Sequence, residues 1–299
     1  MTPLATELAP DLATKAPAWR TPALAARLGA GLHGLRTLRW YRVAVPLLLL
    51  ALWEGSARMG WVSASLLPAP SRVLAMLGSW MFSTTEAAGD ITGHWLKDAA
   101  ASSFRVLTGY LVAVVSATTL GVAIGWWRRV EHTIEPTLQL LRPIPPVSWI
   151  PLAIIWFGIA DRPAIFLVFL ASFFPILLNT IHGVKSTDRN LIRAARMMGA
   201  TQYQILRYVV IPAALPSIFA GMRISIGIAW MLTVTAEMVA VKSGIGYVLW
   251  DSYYFLRYDL VIAAMIIGVL GLASDAIVKA IMNRVLHWQH GTTLQGNRP

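Results

Sequence analysis

Cysteine is absent from the 299 residues, which excludes disulfides, thiolate catalysis and cysteine-held metal sites. Charge is scarce. Asp, Glu, Lys and Arg make up 13% of the chain, about half of the roughly 25% usual in soluble domains. Acidic residues are the rarer sign, 14 against 25 Lys and Arg. No G-x-x-x-x-G-K-[ST] run occurs, so ATP is not bound here through a P-loop. No Ser-His-Asp grouping and no paired carboxylates share a segment, which leaves an intramembrane hydrolase without its catalytic set. His287 and His290 are neighbours without a carboxylate and read as a solvated tail rather than a metal site.

What the chain has instead is apolar length. Hydrophobic residues make up 57% and mean hydropathy is +0.61, which points to an all-α integral membrane protein. A net charge of +11 and a pI near 10.4 would suit nucleic acid. The arginines, however, flank apolar runs, as expected of contact with an anionic inner leaflet. Membrane lipid is therefore the expected partner, and nucleic acid is not.

About six spans are expected, since each crossing needs roughly 20 residues. Residues 1–42 read as a basic cytoplasmic tail. That tail is too long and charged for a cleavable signal peptide. Residues 43–59 form a short first span with Glu54, and 60–103 a connector rich in Trp and Pro. The second span is 105–127, a proline-interrupted third is 133–158, and the fourth is 163–184. The fifth is 214–241, the sixth 260–283, and 286–299 is a C-terminal tail. Residues 43–285 thus form one transmembrane domain. Most Lys and Arg fall in the N-terminal tail, the Arg128-Arg129 turn, the 185–212 segment and the end after Lys279. Asp98, Asp161, Asp251 and Asp259 fall between the other span ends. The positive-inside bias then places both termini and the 185–212 segment in the cytoplasm.

That segment, KSTDRNLIRAARMMGATQYQILRYVVIP, is a polar island between apolar runs. Asp188 is placed to cap a helix, Gly199 to stop it, and Thr201 to cap a second that Pro212 interrupts. Leu191, Ile192, Ala195 and Met198 share one face of the first helix, and Arg189, Arg193 and Arg196 another. The bent pair either docks into a partner or lies on the membrane surface.

Here the chain resembles the permeases of binding-protein-dependent ABC importers. Their cytoplasmic signature is Glu-Ala-Ala, three residues, Gly, nine residues, then Ile-x-Leu-Pro. This chain has Arg193-Ala194-Ala195, Gly199 and Val209-Val210-Ile211-Pro212 at the same spacing. Arg193 stands where the family has Glu. The resemblance implies that Arg189, Arg193, Ala194, Ala195, Gly199, Val209, Ile211 and Pro212 form a coupling loop that docks into the ATPase subunit.

Charges inside the spans form the second group of candidates, because a charge in the bilayer core costs at least about 2.5–3.5 kcal/mol and faces a cavity or a partner. Arg142 sits in LRPIPPVSWIPL, where Pro143, Pro145, Pro146 and Pro151 break the helix. Glu237 lies near the outer end of the fifth span, and Arg223 near its inner end. Two readings follow. Arg142, Pro143, Pro145, Pro146 and Glu237 line or gate a translocation path, or Arg142 and Glu237 pair with each other while Arg223 snorkels to the inner interface. Gly121 and Gly125 form a G-x-x-x-G that suits helix packing, with a homodimer contact as the other use.

The segments LRPIPPVSWIPLAIIWFGIADRPAIFLVF and GMRISIGIAWMLTVTAEMVA, followed by SGIGYVLWDSYYF, look like the nitrate, taurine, aliphatic sulfonate and bicarbonate branch of these permeases. The resemblance covers roughly residues 100–285. It implies a type I ABC importer permease of the bacterial inner membrane, a homodimer moving a small anionic solute. Its partners would be ABC ATPase subunits and a periplasmic or lipid-anchored solute-binding protein. This chain would bind no cofactor, with ATP and Mg held by the ATPase. The alternative is an ion-gradient-driven secondary transporter, in which paired broken helices are common.

Overall fold

The computed structural model describes residues 41–63, 66–82 and 94–287. The N-terminal tail up to residue 40, part of the connector, and the end of the chain with His290 lie outside these residues. Among the described residues every regular element is helical.

Helix α1 (Tyr41–Arg58) turns Val45, Leu47, Leu48, Leu49, Leu50 and Leu52 outward. That apolar surface suits lipid and not water. Its 18 residues rise about 27 Å. Glu54 is not left in hydrocarbon: its carboxylate accepts from Ser71 N at 3.0 Å, Ser71 Oγ at 2.8 Å and Arg58 Nε at 2.6 Å. It thereby ties α1 to the first turn of α2 (Pro70–Phe82).

The core is built by α3 (Trp95–Trp126), α6 (Asp161–Lys185) and α9 (Ile211–Ala240). Small residues set their closeness. A Cβ on Gly109 would lie 2.9 Å from Val168 Cβ, one on Gly121 2.7 Å from Thr180 Cβ, and one on Gly125 2.7 Å from Val184 Cβ. Contacts that advance in step mean that α3 and α6 run parallel. The G-x-x-x-G at Gly121 and Gly125 therefore packs within the chain. On the other side of α6, Gly183 meets Ser217 and Gly221 meets Asn179. Those contacts run in opposite directions, so α9 is antiparallel to α6.

This register decides the third span. Helix α4 (Arg128–Leu141) is followed by a 3₁₀ turn (Pro146–Trp149) and α5 (Ile150–Phe157). The two halves are bent by 84°. Because α3 and α6 are parallel, the chain between them has to return across the full thickness. The bent pair is thus one broken span, not a re-entrant loop. Among the described residues four helices are by themselves long and apolar enough to cross a membrane, and the broken pair makes a fifth. The remaining expected span, the first, is α1, which carries Arg42, Glu54 and Arg58 along its length.

Three boundaries differ from expectation. Helix α3 begins at Trp95, not at 105, because Leu96, Ala99 and Ser102 continue the helical pattern ahead of the apolar run. The last span is split into α11 (Tyr258–Ala264) and α12 (Ile267–Val285). Pro212 does not interrupt its helix. Helix α8 (Gln202–Ile205) passes through a π-helical turn (Leu206–Val210) into α9, one rod over Gln202–Ala240. The wider turn, in which Ile211 N donates to Leu206 O, absorbs the hydrogen bond that Pro212 lacks. Helix α10 (Ile245–Tyr254) returns the chain from α9 to α11.

Candidate functional site

The helix ends fall into two groups at opposite ends of the bundle, and each carries a candidate site. One end gathers the start of α3, the start of α6, the end of α9 and the start of α10. There Arg105, 1% exposed, is buried against Glu237, 0% exposed. Arg105 Nη1 donates to Glu237 Oε1 at 2.6 Å and to Ser243 O at 2.8 Å. Its Nε donates to Asp161 Oδ1 at 2.7 Å and its Nη2 to Ser243 Oγ at 2.6 Å. The second Glu237 oxygen accepts from Ser102 Oγ and from Gly246 N, both at 2.9 Å. Ile245 N donates to Ser102 Oγ at 3.0 Å, and Gly244 N to Asp98 Oδ1 at 3.0 Å.

The sequence lets this assemble for local reasons. Asp98, Ser102 and Arg105 are spaced i, i+4, i+7 and share one face of α3. Gly244 has φ +108°, and a Cβ there would lie 2.6 Å from both Arg105 Nη1 and the Glu237 carboxyl. Only glycine lets this turn close over the ion pair. Burying the two charges is sustainable because they are paired, four of the five Arg105 N–H donors are used, and both Glu237 oxygens accept hydrogen bonds. The arrangement offers no reacting atom. What it does is fasten four helix ends together.

Glu237 therefore pairs with Arg105 and not with Arg142, which corrects that expectation. Arg142 caps α4, is exposed, and has no ion-pair partner among the described residues. Pro143 and Pro145 are also exposed, and Pro146 is half-buried at the start of the 3₁₀ turn. Beside them lies an apolar cavity of about 240 Å³ lined by Leu141, Ile144, Pro146, Trp149, Trp156 and Phe166, among others. Arg223 is half-exposed and ion-paired. Its Nε and Nη2 reach the two Asp275 oxygens at 2.8 Å each. Arg105, Asp98 and Asp275 are not among the sequence-based candidates, because Asp98 falls in the expected connector and Arg105 at the first residue of the expected span 105–127. The i, i+4, i+7 spacing of Asp98, Ser102 and Arg105 is a signal for the first two, and nothing in the sequence singles out Asp275.

The opposite end holds the 185–212 segment, beside the start of α4, to which Lys185 is tied by a 2.7 Å bond to Glu131. Asp188 caps α7 (Arg189–Met197) by accepting from Asn190 N at 2.8 Å. Gly199 has φ +81° and open space around it, and it ends the helix in the left-handed conformation. Thr201 and Gln204 form a reciprocal capping box at the start of α8. These three features match expectation. The inner face is narrower than expected. Ala195 is buried and Ile192 half-buried, against Ile205, Leu206 and Val210. Leu191 is 53% and Met198 81% exposed. Met198 has left the helix, with ψ near 3°, and so no longer follows the face. Arg189, Arg193, Ala194 and Gly199 are exposed, while Val209, Ile211 and Pro212 are half-buried.

Residues 109–287 match the family described as the binding-protein-dependent transport system inner membrane component. The chain is 32% identical over 259 residues to the putative aliphatic sulfonates transport permease protein SsuC of Bacillus subtilis, covering 86% of this chain and 91% of that one. It is 33% identical over 244 residues to the taurine transport system permease protein TauC of Escherichia coli, covering 81% and 87%. Among solved structures, a chain of the MetNI methionine ABC transporter in inward-facing conformations matches with TM-score 0.51 at 21% identity, over 62% of this chain and 95% of that one. That likeness concerns the fold alone. Membership removes the ion-gradient alternative and agrees with a chain that lacks its own P-loop: the protein belongs to the family of binding-protein-dependent transport system inner membrane components, the non-enzymatic permease subunits of ABC importers.

Proposed function

We propose that two copies of this chain form a path for a small anion, a sulfonate such as taurine, or nitrate or a similar oxyanion, across the bacterial inner membrane. ABC ATPase subunits holding ATP and Mg dock on the 185–212 corner in the cytoplasm, where both termini also lie. A periplasmic or lipid-anchored solute-binding protein delivers solute at the Arg105–Glu237 end. This chain binds no cofactor itself, and it touches membrane lipids and no nucleic acid.

The observation that carries the docking is the corner itself. Two capped helices meet at Gly199 and hold a defined shape, and the outward guanidiniums of Arg189, Arg193 and Arg196 have no partner among the described residues. Closure of the ATPases pushes on Arg189, Arg193, Ala194, Ala195 and Gly199. Val209, Ile211 and Pro212 pass the movement into the Gln202–Ala240 rod. Because that rod ends beside Glu237, movement at one end bears on the network at the other. Arg142 with Pro143, Pro145 and Pro146 lines or gates the path at the break in the third span, where the backbone needs protein or water beside it. The solute class is supported by relatives named for aliphatic sulfonates, taurine and nitrate. Alternating access requires the ligands to favour different states.

The test is ATP hydrolysis by the permease–ATPase complex in liposomes, with loaded binding protein and a panel of taurine, alkanesulfonates, nitrate and bicarbonate. Gly199→Asp should abolish the permease-dependent hydrolysis while the permease remains folded. Hydrolysis indifferent to the permease, or to every anion in the panel, would sink this reading.

A further inference from the structure

The docking corner has an unusual charge. Residues 185–212 hold Lys185, Arg189, Arg193, Arg196 and Arg207 against a single acid, Asp188. Lys185 is used by Glu131 and Arg207 leans on Tyr203, while Asp188 is spent on its capping bond. Arg189, Arg193 and Arg196 are spaced i, i+4, i+7 along α7, all exposed, and their guanidiniums have no hydrogen-bond or ion-pair partner among the described residues. Next to them Met197 and Met198 stand 84% and 81% exposed. The projection is a stripe of three guanidiniums ending in two thioether side chains.

Building on the docking reading above, we infer that this stripe fits an ATPase cleft lined by carboxylates, with an apolar floor for Met197 and Met198. Guanidiniums bind carboxylates through two parallel hydrogen bonds, which fixes register as well as charge. The flexible, polarisable methionines adapt to an apolar floor. An anionic membrane surface is the competing partner for such a stripe. A helix lying on lipid needs a free apolar face. Helix α7 has already spent Ile192 and Ala195 on packing against Ile205, Leu206 and Val210, and its large exposed apolar side chains, Leu191 and Met197, are six positions apart and do not share a face. The carboxylates would therefore belong to protein. A cleft built for the family's Glu at position 193 would meet Arg193 with like charge, so this permease should also discriminate among ATPases by charge.

The test is titration of the full permease, in nanodiscs of neutral phosphatidylcholine and in nanodiscs containing phosphatidylglycerol, with its ATPase. Wild-type affinity should fall steeply as salt rises from about 0.05 to 0.5 M. Replacing Arg189, Arg193 and Arg196 by Gln should weaken binding about tenfold or more in neutral nanodiscs and flatten the salt dependence. The Lys triple variant should keep the salt dependence, because the charge is retained, but recover only part of the affinity lost in the Gln variant, because the paired hydrogen bonds of the guanidinium are gone. Arg128→Gln with Arg129→Gln, exposed at the same end, should change little. Equal loss in the Gln and Lys variants, no loss in either, or a loss confined to anionic nanodiscs would overturn the acidic cleft while leaving docking itself standing. Failure of the wild type to bind any ATPase would overturn docking and this inference with it.

Discussion

Arg105 and Glu237 lie 132 positions apart and meet at 2.6 Å, each sealed from solvent. Helices α3 and α9 are held through them, and the turn into α10 closes over both. Removing one partner of such a pair leaves the other charged and buried, which is far worse than removing both. Arg105→Leu should lower stability by about 3–5 kcal/mol, read as a large fall in thermal unfolding temperature in detergent. The double variant Arg105→Leu with Glu237→Leu should recover part of that loss. Additive losses in the two single variants would refute the coupling.

Asp161 tests how much the second acid contributes. Its bond to Arg105 Nε is as short as the others, at 2.7 Å, yet its side chain is 56% exposed. Solvent should screen it. Asp161→Asn should cost at most about 1 kcal/mol, well below the effect of Glu237→Ala. Comparable unfolding shifts for the two would mean that Asp161 contributes as much to holding Arg105 as the buried Glu237 does.

Gly244 and Gly78 make a paired test of space and backbone. A methyl at Gly244 has to displace Arg105 Nη1 or the Glu237 carboxyl, at φ +108°. Gly244→Ala should therefore resemble Arg105→Leu in its loss of folded protein. Gly78 is inside α2 with nothing within 4 Å of its would-be Cβ. Gly78→Ala should be neutral or stabilising by about 0.4–1 kcal/mol. Size-exclusion profiles and unfolding temperatures measured side by side would check both.

The capping box at Thr201 predicts a local effect. Thr201→Ala removes the acceptor for Gln204 N and disturbs the return bond from Thr201 N to Gln204 Oε1, now 2.8 Å. It should cost about 0.5–2 kcal/mol, confined to the corner. Hydrogen exchange should quicken at residues 202–206 while the amides of α3 and α6 stay protected. Global quickening would show that the corner folds only with the bundle.

How legible this chain is depends on the range of the interaction concerned. The Asp188 cap, the Gly199 stop and the Thr201–Gln204 box act within one helical turn, so residue identity at adjacent positions suffices to place them. The apolar runs and the charge bias along the chain likewise determine a helical membrane protein, because each span satisfies its own backbone. Pro212 misleads, since whether a proline breaks a helix depends on the hydrogen-bond register of the turn before it. Glu237 misleads more. Its partner could have been Arg142 or Arg105 by composition, and the choice was made by the parallel packing of α3 on α6 and the antiparallel packing of α9. The same packing made the proline-rich third span a true crossing. These outcomes rest on contacts between residues far apart in the chain, set by where small residues let helices approach, and periodicity within one segment carries no information about them.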